Sequence, residues 1–143
     1  MVTQERGHTV LYIEDNPANL RLVEQLLGRR SNMHMWSAHE PMLGLELAAE
    51  HKPDLILLDI NLPGISGFEV LRHLRQREAT RDKPVIAISA NVMPKDIKKG
   101  LEAGFDRYIT KPIDLAELLQ AVDTVLLEGR QSTESDGVYT IVE

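Results

Sequence analysis

Five short apolar runs recur along the chain: Val10–Ile13, Met33–Ser37, Leu55–Leu58, Val85–Ile88 and Tyr108–Ile109. Segments with helical periodicity lie between them and after the last. Leu20, Val23 and Leu27 share one helical face with Leu26 beside them, and Phe68, Leu71 and Leu74 share another. Leu115, Leu118, Leu119, Val122 and Leu126 fall at i, i+3, i+4, i+7 and i+11, the clearest amphipathic pattern in the chain. Pro94–Ala103 sets Ile97 and Leu101 against a polar side of Lys95, Lys98 and Lys99, with Gly104 placed as a C-cap. Met42–Ala49 is a weaker helical segment, since Gly44 costs it stability. Asn16-Pro17 and Ile113-Asp114 carry helix-start signals. Strand then helix, five times over, predicts an α/β domain with a parallel sheet covered on both faces.

The chain has 143 residues, enough for one domain with a proper core. Its net charge of −6 argues against an electrostatic grip on nucleic acid or on an anionic membrane. The absence of cysteine excludes disulfides, thiol catalysis and zinc-thiolate sites. No secretory leader is visible at the N-terminus, and no apolar run approaches the ~20 residues of a membrane span. A cytoplasmic protein without membrane insertion is therefore expected. Residues 1–8 read as an N-terminal extension, 9–128 as the domain, and 129–143 as a polar tail whose apolar stretch is Val138–Val142.

In an open parallel α/β sheet, ligands gather beyond the carboxyl ends of the strands. The first run here closes with Glu14-Asp15, the third with Asp59, the fourth with Ser89, and the fifth leads into Lys111-Pro112. Singly, each reads as ordinary structure: a capped helix entry, a hydrated strand end, a small residue before a helix, a turn with a solvated lysine. Together they place three carboxylates at one edge, where they repel unless a cation or Lys111 neutralises them. Hard oxygen ligands suit Mg²⁺, or Mn²⁺, rather than a soft metal.

The order of these residues, in the segments LYIEDNPANL, LILLDINLPGISGFEVL, IAISAN and YITKPI, resembles the receiver domain of two-component response regulators over roughly Thr9 to Leu127. The resemblance implies the CheY-like, flavodoxin-like fold: a doubly wound five-stranded parallel sheet in the order 2-1-3-4-5, flanked by five helices. It implies that Asp59 is the phosphoacceptor. Mg²⁺ would be held by Asp15, Asp59 and the backbone carbonyl of Asn61, with Glu14 acting through water. Ser89 and Lys111 would contact the phosphoryl group, and Tyr108 would be the aromatic partner of the switch. The side chains of Asn61 and Asn91 would tune dephosphorylation. The fourth helix, fifth strand and fifth helix would form the responding face, available to partners or to a homodimer. The donor would be a sensor histidine kinase or a histidine phosphotransfer protein. The wording of EDNPANLRLVE and ISANVMPKD is most similar to receivers attached to hybrid sensor kinases. Such a protein is a signalling component rather than a metabolic enzyme and does not itself bind nucleic acid. Serine stands at Ser89 where many members have threonine, keeping the hydroxyl and losing a methyl.

Other readings fit less well. A phosphatase of the haloacid dehalogenase type needs a second aspartate two residues after the first, where this chain has Asn61. A flavodoxin-like cofactor carrier needs a Ser/Thr/Gly-rich phosphate loop after the first strand, which here ends in acids. Neither G-x-x-x-x-G-K-[ST] nor G-x-G-x-x-G occurs. A constitutive docking module that is never phosphorylated is the alternative from a different class.

Overall fold

The computed structural model describes residues 7–128. Within them five strands alternate with five helices: β1 (His8–Ile13), α1 (Pro17–Leu27), β2 (Met33–Ala38), α2 (Pro41–His51), β3 (Leu55–Asp59), α3 (Gly67–Gln76), β4 (Val85–Ser89), α4 (Pro94–Ala103), β5 (Arg107–Thr110) and α5 (Leu115–Glu128). The strands form one parallel sheet in the order β2-β1-β3-β4-β5, as expected. The expected tail, with Val138–Val142, and the first six residues of the N-terminal extension lie outside the described residues.

Alternation along the inner strands sorts the core into two layers. Leu11, Ile13, Ile56, Leu58, Val85 and Ala87 point to one face, where they meet Leu45 and Ala48 of α2 and Val70, Leu71 and Leu74 of α3. Val10, Tyr12, Leu55, Leu57, Ile86 and Ile88 point to the other, against Val23, Leu26 and Leu27 of α1 and Leu118, Val122 and Val125 of α5. All five residues of β3 and of β4 are buried, which is why these runs are almost wholly apolar. β2 and β5 are the sheet edges, and their mixed sequences, MHMWSA and RYIT, follow from that half-exposure.

Each strand outruns its apolar signal, because the ladder bonds backbone groups and is indifferent to side-chain polarity. Asp59 pairs with Ile88, Ser89 with Thr110, and His8 with Met33. Asp59 and Ser89 are thus the last residues of their strands rather than loop residues. The helix ends behave as their caps predict. Asn16 Oδ1 accepts from the backbone N–H of Ala18 (2.8 Å) and Asn19 (3.2 Å), and Asp114 Oδ1 accepts from Glu117 N–H (3.1 Å). Gly104 closes α4 at φ 117°.

Two glycines fix how closely helices approach the sheet edge. A Cβ at Gly44 would stand 2.5 Å from Ile13 Cδ1, so the residue that weakens α2 as a helix is what lets it close on β1. A Cβ at Gly67 would meet the Cβ and Cα of Ile60 at 2.4 and 2.5 Å, and Ile60 directly follows Asp59. Gly67→Ala should therefore cost about 1–3 kcal/mol of stability through overpacking. A urea titration checks this; an unchanged midpoint would show that the segment after Asp59 yields freely.

Candidate functional site

Three of the strand-end groups are carboxylates, and one oxygen from each of Glu14, Asp15 and Asp59 lies within 4.8 Å of the others. Glu14 and Asp59 are buried, at 0% and 3% exposure, whereas Asp15 is exposed. Buried anions this close demand a counter-charge. Lys111, on the turn after β5, supplies one: its Nζ donates to Asp59 Oδ2 at 2.8 Å and lies 3.6 Å from Glu14 Oε1. The other Asp59 oxygen, Oδ1, accepts the backbone N–H of Asn61 at 2.9 Å. Both oxygens of Asp59 are thereby oriented.

Glu14 sits deeper. Its Oε1 accepts from the Tyr12 hydroxyl (2.9 Å) and from Asn19 Nδ2 (3.3 Å), and its Oε2 accepts from Asn16 N–H (3.1 Å). Burial pushes the Glu14 carboxyl above its ordinary range. The Asn16 N–H pulls the other way, and the charge of Asp59 adds to the rise. At Lys111, burial alone would pull the ammonium down. The hydrogen bond it donates to Asp59, and the charges of Asp59 and Glu14, outweigh burial and leave it raised.

A second line of contacts leads away from the carboxylates. Asn61 Oδ1 accepts from Ala90 N–H (2.9 Å) and from the Ser89 hydroxyl (3.2 Å). Ser89 Oγ in turn accepts from Asn91 N–H (3.0 Å), and the Asn91 carbonyl accepts from the Tyr108 hydroxyl (3.0 Å). Asn61, Ser89, Asn91 and Tyr108 thus form one continuous run of polar contacts from the loop after β3 to the half-buried ring on β5. α4 makes room for that ring: a Cβ at Gly100 would stand 2.7 Å from Tyr108 Cδ2 and 2.8 Å from Cε2.

All the residues expected from the sequence therefore meet at one end of the sheet or on the run leading from it. The structure adds three that sequence reasoning passed over. Tyr12 carried a usable signal, since it lies two residues before Glu14, which directly follows β1, and alternation puts the two on the same face. Asn19 is in the first turn of α1, directly above Glu14. Gly100 gave no signal, because its role is space.

A family model described as the response regulator receiver domain matches residues 10–123. Among curated proteins, the polar-differentiation response regulator DivK of Brucella ovis is 36% identical over 118 residues, covering 82% of this chain and 95% of that protein. Among solved structures, the receiver domain of the sensor histidine kinase PA1611 from Pseudomonas aeruginosa is 31% identical, with a TM-score of 0.74 over 84% of this chain and 98% of that one. It carries a magnesium ion in its active-site cleft. A two-component response regulator of the LuxR family from Aurantimonas is 26% identical, with a TM-score of 0.78 over 92% of this chain and 93% of that one. Among the described residues, no helix is long and apolar enough to cross a membrane. With the sheet order and the acid-lined strand ends in place, the match over residues 10–123 settles the membership: the chain belongs to the response regulator receiver domain family, a component of two-component signalling and not a metabolic enzyme.

Proposed function

We propose that Asp59 accepts a phosphoryl group from a phosphorylated histidine, on a sensor histidine kinase or a histidine phosphotransfer protein, and that this switches the α4-β5-α5 face. The observation that carries the reading is the treatment of Asp59: a buried carboxylate with one oxygen fixed by Asn61 N–H and the other by Lys111. In the transfer, one Asp59 oxygen attacks phosphorus as the P–N bond to the donor imidazole breaks, and the bonding pair returns to that nitrogen. The products are an acyl phosphate and a neutral histidine. Such a transfer needs positioning and charge neutralisation more than covalent assistance.

The donor set fits a hard dication. Three carboxylates face one ammonium, so the pocket is over-supplied with negative charge, and every ligand is oxygen. Asp15, Asp59 and the Asn61 carbonyl would hold Mg²⁺ (or Mn²⁺), with Glu14 acting through water, and the ion would neutralise phosphoryl charge. The chain's own residues do the rest. Lys111 follows the charge from Asp59 to a phosphoryl oxygen. Ser89 reaches the phosphoryl group only by giving up Asn61 Oδ1, which loosens the contacts at Ala90 and Asn91 and so the anchor of Tyr108. The Asn61 carboxamide, once released, is free to bear on the water that hydrolyses the acyl phosphate. Asn91, exposed beside Ser89, tunes that lifetime.

The responding surface carries exposed apolar residues, with Val92 53%, Met93 55% and Leu101 46% exposed, which suits a docking partner or a homodimer. The domain unit is taken as residues 9–128, with 1–8 and 129–143 as appendages, in a cytoplasmic protein that does not itself bind nucleic acid. The likeness to the PA1611 receiver supports a place beside hybrid kinases. The likeness to DivK supports the reading of the chain as a response regulator.

Three outcomes test this. Incubation with acetyl phosphate and Mg²⁺ should add one phosphoryl group by intact mass, and Asp59→Asn should abolish it; equal uptake by the mutant would overturn the assignment. Lys111→Ala should leave Mg²⁺ binding largely intact while phosphorylation no longer shifts the amide resonances of β5 and α4, and a full shift would make Lys111 ordinary. Glu14→Gln concerns stability. A raised carboxyl pKa means that the folded protein binds the proton more tightly than the unfolded chain. The stability it gives is present below the ordinary range near 4.5 and is lost as pH rises through the folded value. The neutral glutamine should therefore raise the metal-free unfolding midpoint at neutral pH by about 3 °C or more. It should also remove the further rise that Mg²⁺ gives the parent.

A further inference from the structure

We propose that Tyr12 is a positioning residue for the metal site, its phenol acting as a fixed post that aims the Glu14 carboxylate. The inference rests on the reading above, in which Glu14 faces Mg²⁺ through water. Val10 and Tyr12 project from the same side of β1, and Glu14, which directly follows the strand, continues that alternation. The Tyr12 ring is fully buried between α1, α5 and the sheet, in the layer that holds Val23, Leu57 and Leu118. A ring held on all sides in a close-packed core cannot follow its partner, so its hydroxyl is a fixed point. That hydroxyl donates to Glu14 Oε1 at 2.9 Å, the shortest of the hydrogen bonds that reach Glu14.

A role confined to the core would leave the phenol unexplained. Phenylalanine would fill the same space without the cost of burying a hydroxyl, and the hydroxyl here is directed at a carboxylate of the acidic cluster. The arrangement is that of an outer partner that orients a ligand group. A carboxylate has lone pairs enough to keep the phenol's hydrogen bond while facing a hydrated ion. Asn19 donates to the same oxygen from the half-exposed first turn of α1, at a longer 3.3 Å, and has no packed ring behind it. The phenol is therefore the stronger constraint of the two.

Calorimetric titration of Mg²⁺ into the parent, Tyr12→Phe and Asn19→Ala tests this without any phosphorylation. Tyr12→Phe should weaken Mg²⁺ about tenfold, and Asn19→Ala should weaken it less. A merely structural tyrosine would lower the melting temperature of Tyr12→Phe and leave its Mg²⁺ affinity within about twofold of the parent, which would overturn the proposal. A larger effect from Asn19→Ala would overturn it as well. Should Tyr12→Phe not fold, the parent is isotope-labelled at the phenolic carbon of tyrosine and titrated by NMR. Its three tyrosines are assigned through Tyr108→Phe and Tyr139→Phe. The Tyr12 resonance should then move saturably with Mg²⁺, and a Tyr12 signal unmoved at saturation defeats the proposal. A parent that binds no Mg²⁺ at all removes the metal reading and the Tyr12 proposal together. A parent that binds, beside an unaltered Tyr12→Phe, removes the Tyr12 proposal alone.

Discussion

Like charges crowded at the edge of a low-dielectric sheet are the constraint around which this molecule is arranged. Glu14 directly follows β1 and Asp59 ends its neighbour β3, so the parallel pairing of the two strands brings them together whatever their mutual repulsion. The 2.8 Å contact from Lys111 to Asp59 is the fold's own answer, and an incomplete one, since among the described residues a single ammonium faces three carboxylates. That deficit makes the pocket receptive. It favours a dication, and on the proposed reading it would give an incoming phosphoryl group a reason to redistribute Lys111. On that reading, function is stored as unbalanced charge, at the expense of the stability a neutral edge would have.

The second dependency is geometric. Ser89 is shared between Asn61 on one side and Asn91 on the other, and the Asn91 carbonyl anchors Tyr108. A hydroxyl has one proton to donate, so Ser89 cannot donate to a new oxygen without releasing Asn61 Oδ1. On the reading proposed above, a phosphoryl group on Asp59 would be read out as a change of partners rather than as a push. Coupling of this kind needs only one small residue to exchange one hydrogen bond for another.

Much of this was legible in the sequence, for particular reasons. Leu55–Leu58 and Val85–Ile88 announce central strands because strands buried on both faces admit only apolar residues, and the acids and hydroxyl that end them then mark the active edge. The edge strands were fainter, as RYIT shows, since half of each is solvated. Gly44 was read as a weak point in a helix because propensity is local, whereas its value lies in the approach of α2 to Ile13. Tyr12 was read only as part of the apolar run Val10–Ile13, since periodicity assigns a face and says nothing of where a hydroxyl points. The side chain of Asn61 was expected near the phosphoryl chemistry, and its bond to Ala90 N–H belongs to a backbone conformation that no spacing encodes.

Gly100 carries the least chemistry of any residue near this pathway, yet it decides where the Tyr108 ring can stand. The ring's freedom is a property of α4, the wall beside it, and not of the ring. Evolution or an engineer could therefore adjust the set-point of this receiver at a position that touches neither phosphate nor metal. On the switch proposed for Asp59, the change would alter the proportion of molecules in each state while leaving the speed of the chemistry alone, and an inventory of reactive groups would pass over it.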